Sequence, residues 1–358
     1  MKKEDLRKQY FDDISRIRTY DSLTDEEIEI FFDAILSFLP NNGVLYKYKS
    51  LASFKYTFDS LKNGYLYMPT VTQLNDRIDT TFLYKGNVSD NDIKNYYRRN
   101  KYKVYKYYVF SDKDILSSVD LPYVEALDML ANELNQLEIS SFLKQKYKTS
   151  FIRANEYVNK IKRDAENHVI KQLEDENIKY FHNLGSLFQK EYRIFSMSEV
   201  YNQDSMWAYY CGNNEGICIG YDFKKAKELP TKEKRRFLNI SKVIYTNSKD
   251  SFNIFDMYDI VYGINKDDVF FFETNKKLSI NLISKKKSWS QEKEWRIITN
   301  DGIEKVYIDL VSKIIIDESI LEDTRTKRII SLAKKKRWKI IVRKLDLDKC
   351  DYVYYHLS

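Results

Sequence analysis

The chain is poor in the residues that punctuate or staple a fold. Its 358 residues include only 9 glycines, 4 prolines, 3 cysteines and 3 histidines. So little glycine and proline argues against long disordered linkers. Cys211, Cys218 and Cys350 have no framework spacing, which argues against a disulfide scaffold and predicts a reducing compartment. None of His168, His182 and His356 stands at metal-ligand spacing from a cysteine, so no metal centre is expected from these residues. No apolar run approaches the ~20 residues of a membrane span. Met1 is followed by Lys2-Lys3-Glu4-Asp5 rather than an apolar leader. A soluble cytoplasmic protein with no membrane partner is the expectation.

Aromatic residues and charge are plentiful. There are 30 tyrosines and 20 phenylalanines, and a tyrosine can bury its ring while its hydroxyl stays wet. Hydrophobic residues make up 43% of the chain, enough for a sizeable core. The net charge of +7 is modest for this length and does not by itself imply nucleic-acid binding.

Residues 1–40 read as a helical pair. Thr24-Asp-Glu-Glu27 is a capping box ahead of the apolar run from Ile28 to Leu39, and Pro40 stops it. Strands are predicted at Val44–Tyr48 and Tyr65–Met68. Between them runs a helix capped by Ser50 and ended by Gly64. Residues 90–189 are polar, with apolar positions at three and four, and predict helices near 91–108, 121–145 and 148–180. Strand character returns at Tyr192–Ser198, Gly216–Tyr221, Lys242–Tyr245, Glu294–Thr299, Val306–Leu310, Lys313–Ile316 and Trp338–Val342. Helices are predicted over 250–284 and 317–336. The fold class is α+β. Its mixed β core covers 41–89 and 190–345, interrupted by a helical insertion (90–189) and closed by a tail (346–358).

The densest chemistry lies in Trp289-Ser-Gln-Glu-Lys-Glu-Trp-Arg296. In a strand, Glu292, Glu294 and Arg296 share one face. Two carboxylates and a guanidinium on one face suggest a site, although a solvated strand face gives the same pattern. Asp76 and Asp79, with Glu292 and Glu294, offer an alternative: a Mg²⁺ site for phosphodiester hydrolysis, since Mg²⁺ prefers carboxylates and water. The stretch Tyr96–Tyr108 interleaves cations with aromatics, the mix that neutralises phosphates and stacks bases, and also the mix of an amphipathic helix. A third reading is a non-enzymatic sensing module whose insertion, 90–189, binds a protein partner. The Lys285–Lys287 run abuts Trp289 and suits an anionic ligand.

Four segments together carry a resemblance. They are Leu45-Tyr-Lys-Tyr-Lys-Ser50; Leu74-Asn-Asp-Arg-Ile-Asp79; Phe195-Ser-Met-Ser-Glu199 with Met206–Gly212 and Gly216–Tyr221; and Trp289–Arg296. Their order resembles the bacterial domain-of-unknown-function family 2971, over residues 44–85 and 190–300. Lys49 stands where that family has arginine, and Arg77-Ile78 where it has Pro-Phe. That family name implies no activity. The order of a basic strand residue, a Ser-x-Ser strand and a Glu-x-Glu strand also resembles ADP-ribosyltransferases. This second resemblance implies a split sheet, NAD as substrate and a macromolecular acceptor, nucleic acid or protein. A role as a bacterial toxin or in phage defence is implied by the resemblance to the domain-of-unknown-function family alone. The transferase resemblance implies Glu294 against the developing ribosyl cation and Glu292 on the acceptor. It also implies Ser196 or Ser198 on the ribose, and Lys47 or Lys49 on the pyrophosphate. Trp207, Tyr209 and Tyr210 would form the nicotinamide wall.

Overall fold

The computed structural model describes residues 23–74, 83–84, 89–101, 104–105, 108, 120–174, 190, 192–248, 251–252 and 277–357. The chain divides into two units, one of residues 1–81, 188–249 and 278–358, the other of residues 82–187 and 250–277. The stretch 250–277, placed in the core from sequence, groups with the insertion.

In the first unit α1 (Asp25–Phe38) starts at the expected capping box: Thr24 and Glu27 each accept the other's backbone N–H. It buries Ile28, Phe32, Ile35 and Leu36, and Leu39 turns extended before Pro40. The helix expected before α1 lies outside the described residues. Strand β1 (Val44–Ser50) follows, and Ser50 accepts the Ala52 N–H at 3.1 Å. A short 3-10 turn leads into α2 (Phe54–Asn63), which Gly64 ends at φ 65°. Then comes β2 (Tyr65–Tyr67).

Further elements of this unit include β3 (Arg193–Ser198), α3 (Asp204–Tyr210), β4 (Gly216–Asp222), β5 (Ile240–Lys242), β6 (Ile244–Thr246), β7 (Ser284–Lys286), β8 (Glu294–Thr299), β9 (Lys305–Tyr307), β10 (Val311–Asp317), α4 (Thr324–Lys336), β11 (Lys339–Asp346) and β12 (Asp351–His356). Among the described residues one eight-stranded sheet runs β12-β11-β10-β4-β1-β3-β8-β5. Its only parallel pair is β10 with β11, and α4 supplies the crossover that a parallel pair requires. Two short ladders stand apart: β9 antiparallel to β2, and β7 parallel to β6.

Three predicted boundaries shift for local reasons. The strand expected at Lys242–Tyr245 is two short strands, β5 and β6, which pair with different partners. The helix expected from Asp317 begins at Thr324, because Asp323 caps it by accepting the Arg325 N–H at 2.7 Å. The expected tail is a strand: β12 pairs antiparallel along β11 from Ile341↔His356 to Asp346↔Asp351.

The sheet is unevenly tied. Strands β1 and β4 register over seven pairs, from Val44↔Asp222 to Ser50↔Gly216. Strands β1 and β3 register at one, Tyr46↔Ser198. Beyond it they part. The exposed edge of β3 is taken instead by the chain after β2: Ile194 N–H donates to Pro69 O and Val71 N–H to Tyr192 O. This opening in mid-sheet is the feature that positions the site.

Helix α3 covers one face of the strands at the opening. Val44, Tyr46, Tyr48, Met206, Trp207, Cys211, Cys218 and Ile315 form one buried cluster there. Two backbone segments approach closely beside Cys211. A Cβ on Gly216 would fall 2.5 Å from the Lys49 carbonyl and 2.7 Å from Cys211 Cβ. Both obstacles are fixed, so Gly216→Ala is expected to cost about 2 kcal/mol. Urea unfolding followed by tryptophan fluorescence checks this. All four tryptophans (Trp207, Trp289, Trp295, Trp338) belong to this unit, so the signal reports it alone.

The second unit contains helices Asp90–Arg99, Leu121–Ala131, Gln136–Tyr147 and Phe151–Glu174. The single helix expected over 121–145 breaks at Asn132–Asn135, where Asn135 and Glu138 make a new capping box. Tyr105 and Tyr108 of the cation–aromatic stretch are buried, and His168 packs edge-on against Tyr108 at 4.9 Å. Those two rings are therefore not offered as an open stacking surface. No described helix is long and apolar enough to cross a membrane.

Candidate functional site

The opening between β1 and β3 is the floor of a cleft of about 670 Å3, within the 300–1,000 Å3 usual for small-molecule sites. Its walls come from α3, the chain around Pro69–Leu74, and the turn that leads into β8. Lys47, Lys49, Ser196, Ser198, Tyr209, Tyr210, Glu292 and Glu294, all singled out from sequence, line it. Trp207 does not. It is fully buried, donates its indole N–H to Tyr201 O at 2.8 Å and packs edge-on against Tyr48. Its expected place at a ligand is corrected: α3 turns that side chain into the core. Asp76 and Asp79 lie outside the described residues.

The strand alternation expected over 292–296 holds only in part. Glu294 and Arg296 lie on β8, opposite Ser198 and Ser196 of β3, so all four share one face. Glu292 instead ends a 3-10 turn (Lys287–Glu292). Lys293, left-handed at φ 44°, separates it from the strand. The turn returns Glu292 to the same point that alternation would have given.

The three charged groups are not a solvated face. Glu292 is 3% exposed, Glu294 5% and Arg296 0%. Buried charges persist only when paired and hydrogen-bonded, and these are. Lys285 Nζ donates to Glu292 Oε2 at 2.6 Å and to Glu294 Oε2 at 2.9 Å. Arg296 Nε donates to Glu294 Oε1 at 2.8 Å, and its Nη1 to Leu282 O at 2.7 Å. Tyr210 Oη donates to Glu292 Oε1 at 2.7 Å. The backbone N–H of Glu294 donates to Tyr245 Oη at 2.8 Å. Two cations balance two anions in one buried cluster.

The two carboxyls are driven apart. Burial pushes Glu292 above its ordinary 4.5, against the pull of Lys285 and the Tyr210 hydroxyl. Burial pushes Glu294 the same way. There Arg296 and then Lys285, with hydrogen bonds from Arg296 and Ser196, outweigh it and hold the group below 4.5. Carboxyls so separated by environment suit different tasks, one a fixed anion and one an acid or base.

The serines and lysines divide as well. Ser196 hydrogen-bonds Glu294 through its side chain. Ser198 is structural: buried, it donates to Glu292 O at 2.6 Å and accepts the Val200 N–H at 3.0 Å. Since Tyr46 is the residue opposite Ser198, Lys47 and Lys49 start on the other face of the sheet. They reach the cleft because β1 and β3 part. Lys47 Nζ donates to Ser196 O at 2.6 Å and lies 4.3 Å from the Phe195 ring centre. Burial, with Lys49 close by, holds the Lys47 ammonium well below its ordinary range, and Glu294 opposes this. Burial lowers Lys49 too.

Lys285 and Tyr245 carry roles that the sequence did not reveal. The parallel β6–β7 pair sets them side by side, Tyr245↔Lys285. The only signal was the Lys285–Lys287 run next to Trp289. A lysine seven residues before a glutamate has no periodicity to mark it, because a 3-10 turn joins them. The arrangement can bind an anionic ligand, hold one carboxylate permanently charged and present a second as a proton acceptor. Among the described residues no group of three or more His, Cys, Asp or Glu could hold a metal ion. The Lys285 ammonium occupies the point between the two carboxylates.

No curated protein and no solved structure matches the chain. A family model matches residues 206–297, from α3 through most of β8. The matched stretch carries Tyr209, Tyr210, Lys285, Glu292, Glu294 and Arg296, and leaves out β1 and β3. This stretch, which includes both carboxylates of the cleft, is similar to the family described as "Protein of unknown function (DUF2971)".

Proposed function

We propose that the cleft takes NAD and transfers its ADP-ribosyl group to a macromolecular acceptor. The observation that carries the reading is the divided carboxylate pair at the opening between β1 and β3. Glycosidic cleavage of NAD breaks the bond between the ribose C1′ and the nicotinamide nitrogen. The electron pair leaves with nicotinamide, and positive charge develops on the ribose. An anion fixed in advance beside that charge lowers the barrier most. Glu294, kept ionised by Arg296 and Lys285, is such an anion. The acceptor then bonds to C1′ and gives up a proton, which Glu292 takes as general base. Lys47 and Lys49 supply charge for the pyrophosphate, and Ser196 a hydroxyl beside Glu294 for the ribose. Tyr210 is the aromatic wall nearest the pair. The parting of β1 and β3 further supports the reading, since the transferase resemblance implies a split sheet.

Incubating the protein with labelled NAD and a bacterial lysate tests the reading. Labelled acceptor and released nicotinamide are expected, both undiminished by a metal chelator. Intact NAD in every fraction sinks it.

The pair also sets a pH dependence. Glu292 works as a base only when ionised, and its value lies above 4.5. Lys47 attracts phosphate only when protonated, and its value lies well below 10.5. The kcat/KM profile is therefore expected to be a bell, with both limbs drawn inward from ordinary glutamate and lysine. Glu292→Gln should remove the acid limb along with most of the rate. A profile flat across that limb in the unsubstituted protein excludes Glu292 as the base.

A further inference from the structure

Tyr209 has no part in the chemistry above. It is 71% exposed at the end of α3. Its ring meets that of Trp289 edge-on, with centroids 5.3 Å apart and planes at 84°. Trp289 is half-buried on the turn that ends in Glu292, and Lys285 Nζ lies 5.3 Å from its ring centre. Tyr210, next to Tyr209, holds the Glu292 carboxylate. The aromatic pair thus flanks the residue that takes the acceptor's proton.

On the Trp289 side of the pair the exposed charge has one sign, while the Tyr209 side carries the exposed acids Asp204 and Glu215. From 286 to 293 the exposed ionisable residues are Lys286, Lys287 and Lys293, and the only acid, Glu292, is buried. The left-handed backbone at Lys293 puts that exposed lysine directly after the base. Open aromatic rings among exposed lysines are what a single-stranded nucleic acid needs: unstacked bases lie on the rings and phosphates meet the cations. Paired bases in a duplex cannot use them. The other cation–aromatic stretch, 96–108, buries Tyr105 and Tyr108 and so does not offer those two rings.

We propose that Tyr209 and Trp289, with Lys286, Lys287 and Lys293, form the acceptor subsite, and that the acceptor is single-stranded nucleic acid. The word acceptor rests on the transferase reading; the binding does not.

The test uses the full chain and a fluorescein-labelled mixed-sequence oligonucleotide, as single strand and as duplex, with anisotropy read at several salt concentrations. The single strand should bind more tightly than the duplex. Tyr209→Ala with Trp289→Ala should weaken single-strand binding about tenfold or more. Tyr209→Phe with Trp289→Phe should retain it, which separates stacking from a folding defect. Lys286→Gln should reduce the slope of log affinity against log salt by about 0.7. Glu294→Gln should leave affinity unchanged, so an enzyme inactive on NAD still reports on this surface. The proposal is overturned by no single-strand binding, or by equal binding in the double-alanine variant. NAD-derived label found on nuclease-resistant protein overturns it as well.

Discussion

Glu294→Gln is expected to reduce NAD-dependent labelling roughly 100- to 1,000-fold, the usual loss when one preorganised charge-stabilising group is removed. The amide oxygen can still accept from Arg296 Nε, but its NH2 then faces the donors Lys285 Nζ and Arg296 Nη2, so urea unfolding of the variant accompanies the assay to separate lost charge from lost fold. What the amide lacks is the negative charge that Arg296 and Lys285 hold in place. The loss should therefore fall on kcat far more than on KM, because the ribosyl cation exists only near the transition state. Nicotinamide release must fall in parallel with labelling. If labelling falls while release continues, Glu294 serves the acceptor instead, and the assignment of the two glutamates is reversed.

The second large effect is on stability. Arg296→Met is expected to cost about 3–5 kcal/mol, the price of stranding one member of a buried ion pair. Arg296 is wholly buried and spans from Glu294 to the Leu282 carbonyl, so the carbonyl loses this donor and Glu294 is left with Lys285 and Ser196 alone. Tryptophan-detected urea midpoints at several pH values measure it, and the sign of the pH trend is fixed. In the unsubstituted protein the Glu294 value is lower folded than unfolded. Its contribution is thus present above 4.5 and is lost as pH falls toward the folded value. The gap between variant and parent should be widest near neutrality and close in acid. A gap independent of pH would assign the loss to packing rather than to charge.

Much of this architecture was readable in the chain. The Thr24 box, the Ser50 and Gly64 caps and the bounds of β8 depend on neighbours a few residues apart, and local rules find them. The coming together of Lys47, Ser196, Tyr210 and Glu292 followed from their order in a family pattern, not from spacing. What local rules missed has a common cause. Lys285 and Tyr245 reach the carboxylates through the pairing of β6 with β7, a contact between segments about 40 residues apart. The face shared by Glu292 supposes a strand through residue 292, whereas β8 begins at Glu294 after a left-handed turn that is carried by Lys293 rather than by glycine or asparagine and so leaves no mark in the sequence. Trp207 was assigned to the ligand for its chemistry, when its helix turns it toward Tyr48 and Tyr201. Aromatic type alone does not tell a cleft wall from a core.

Ser198 links two things that look separate. It is the β3 member of the one pair joining the halves of the sheet, and its hydroxyl holds the backbone of Glu292. A molecule that levers β1 away from β3 therefore pulls on the mooring of the base at the same time. The Ser198 hydroxyl thus ties the single β1–β3 ladder pair to the backbone of Glu292, so any displacement of one is passed to the other.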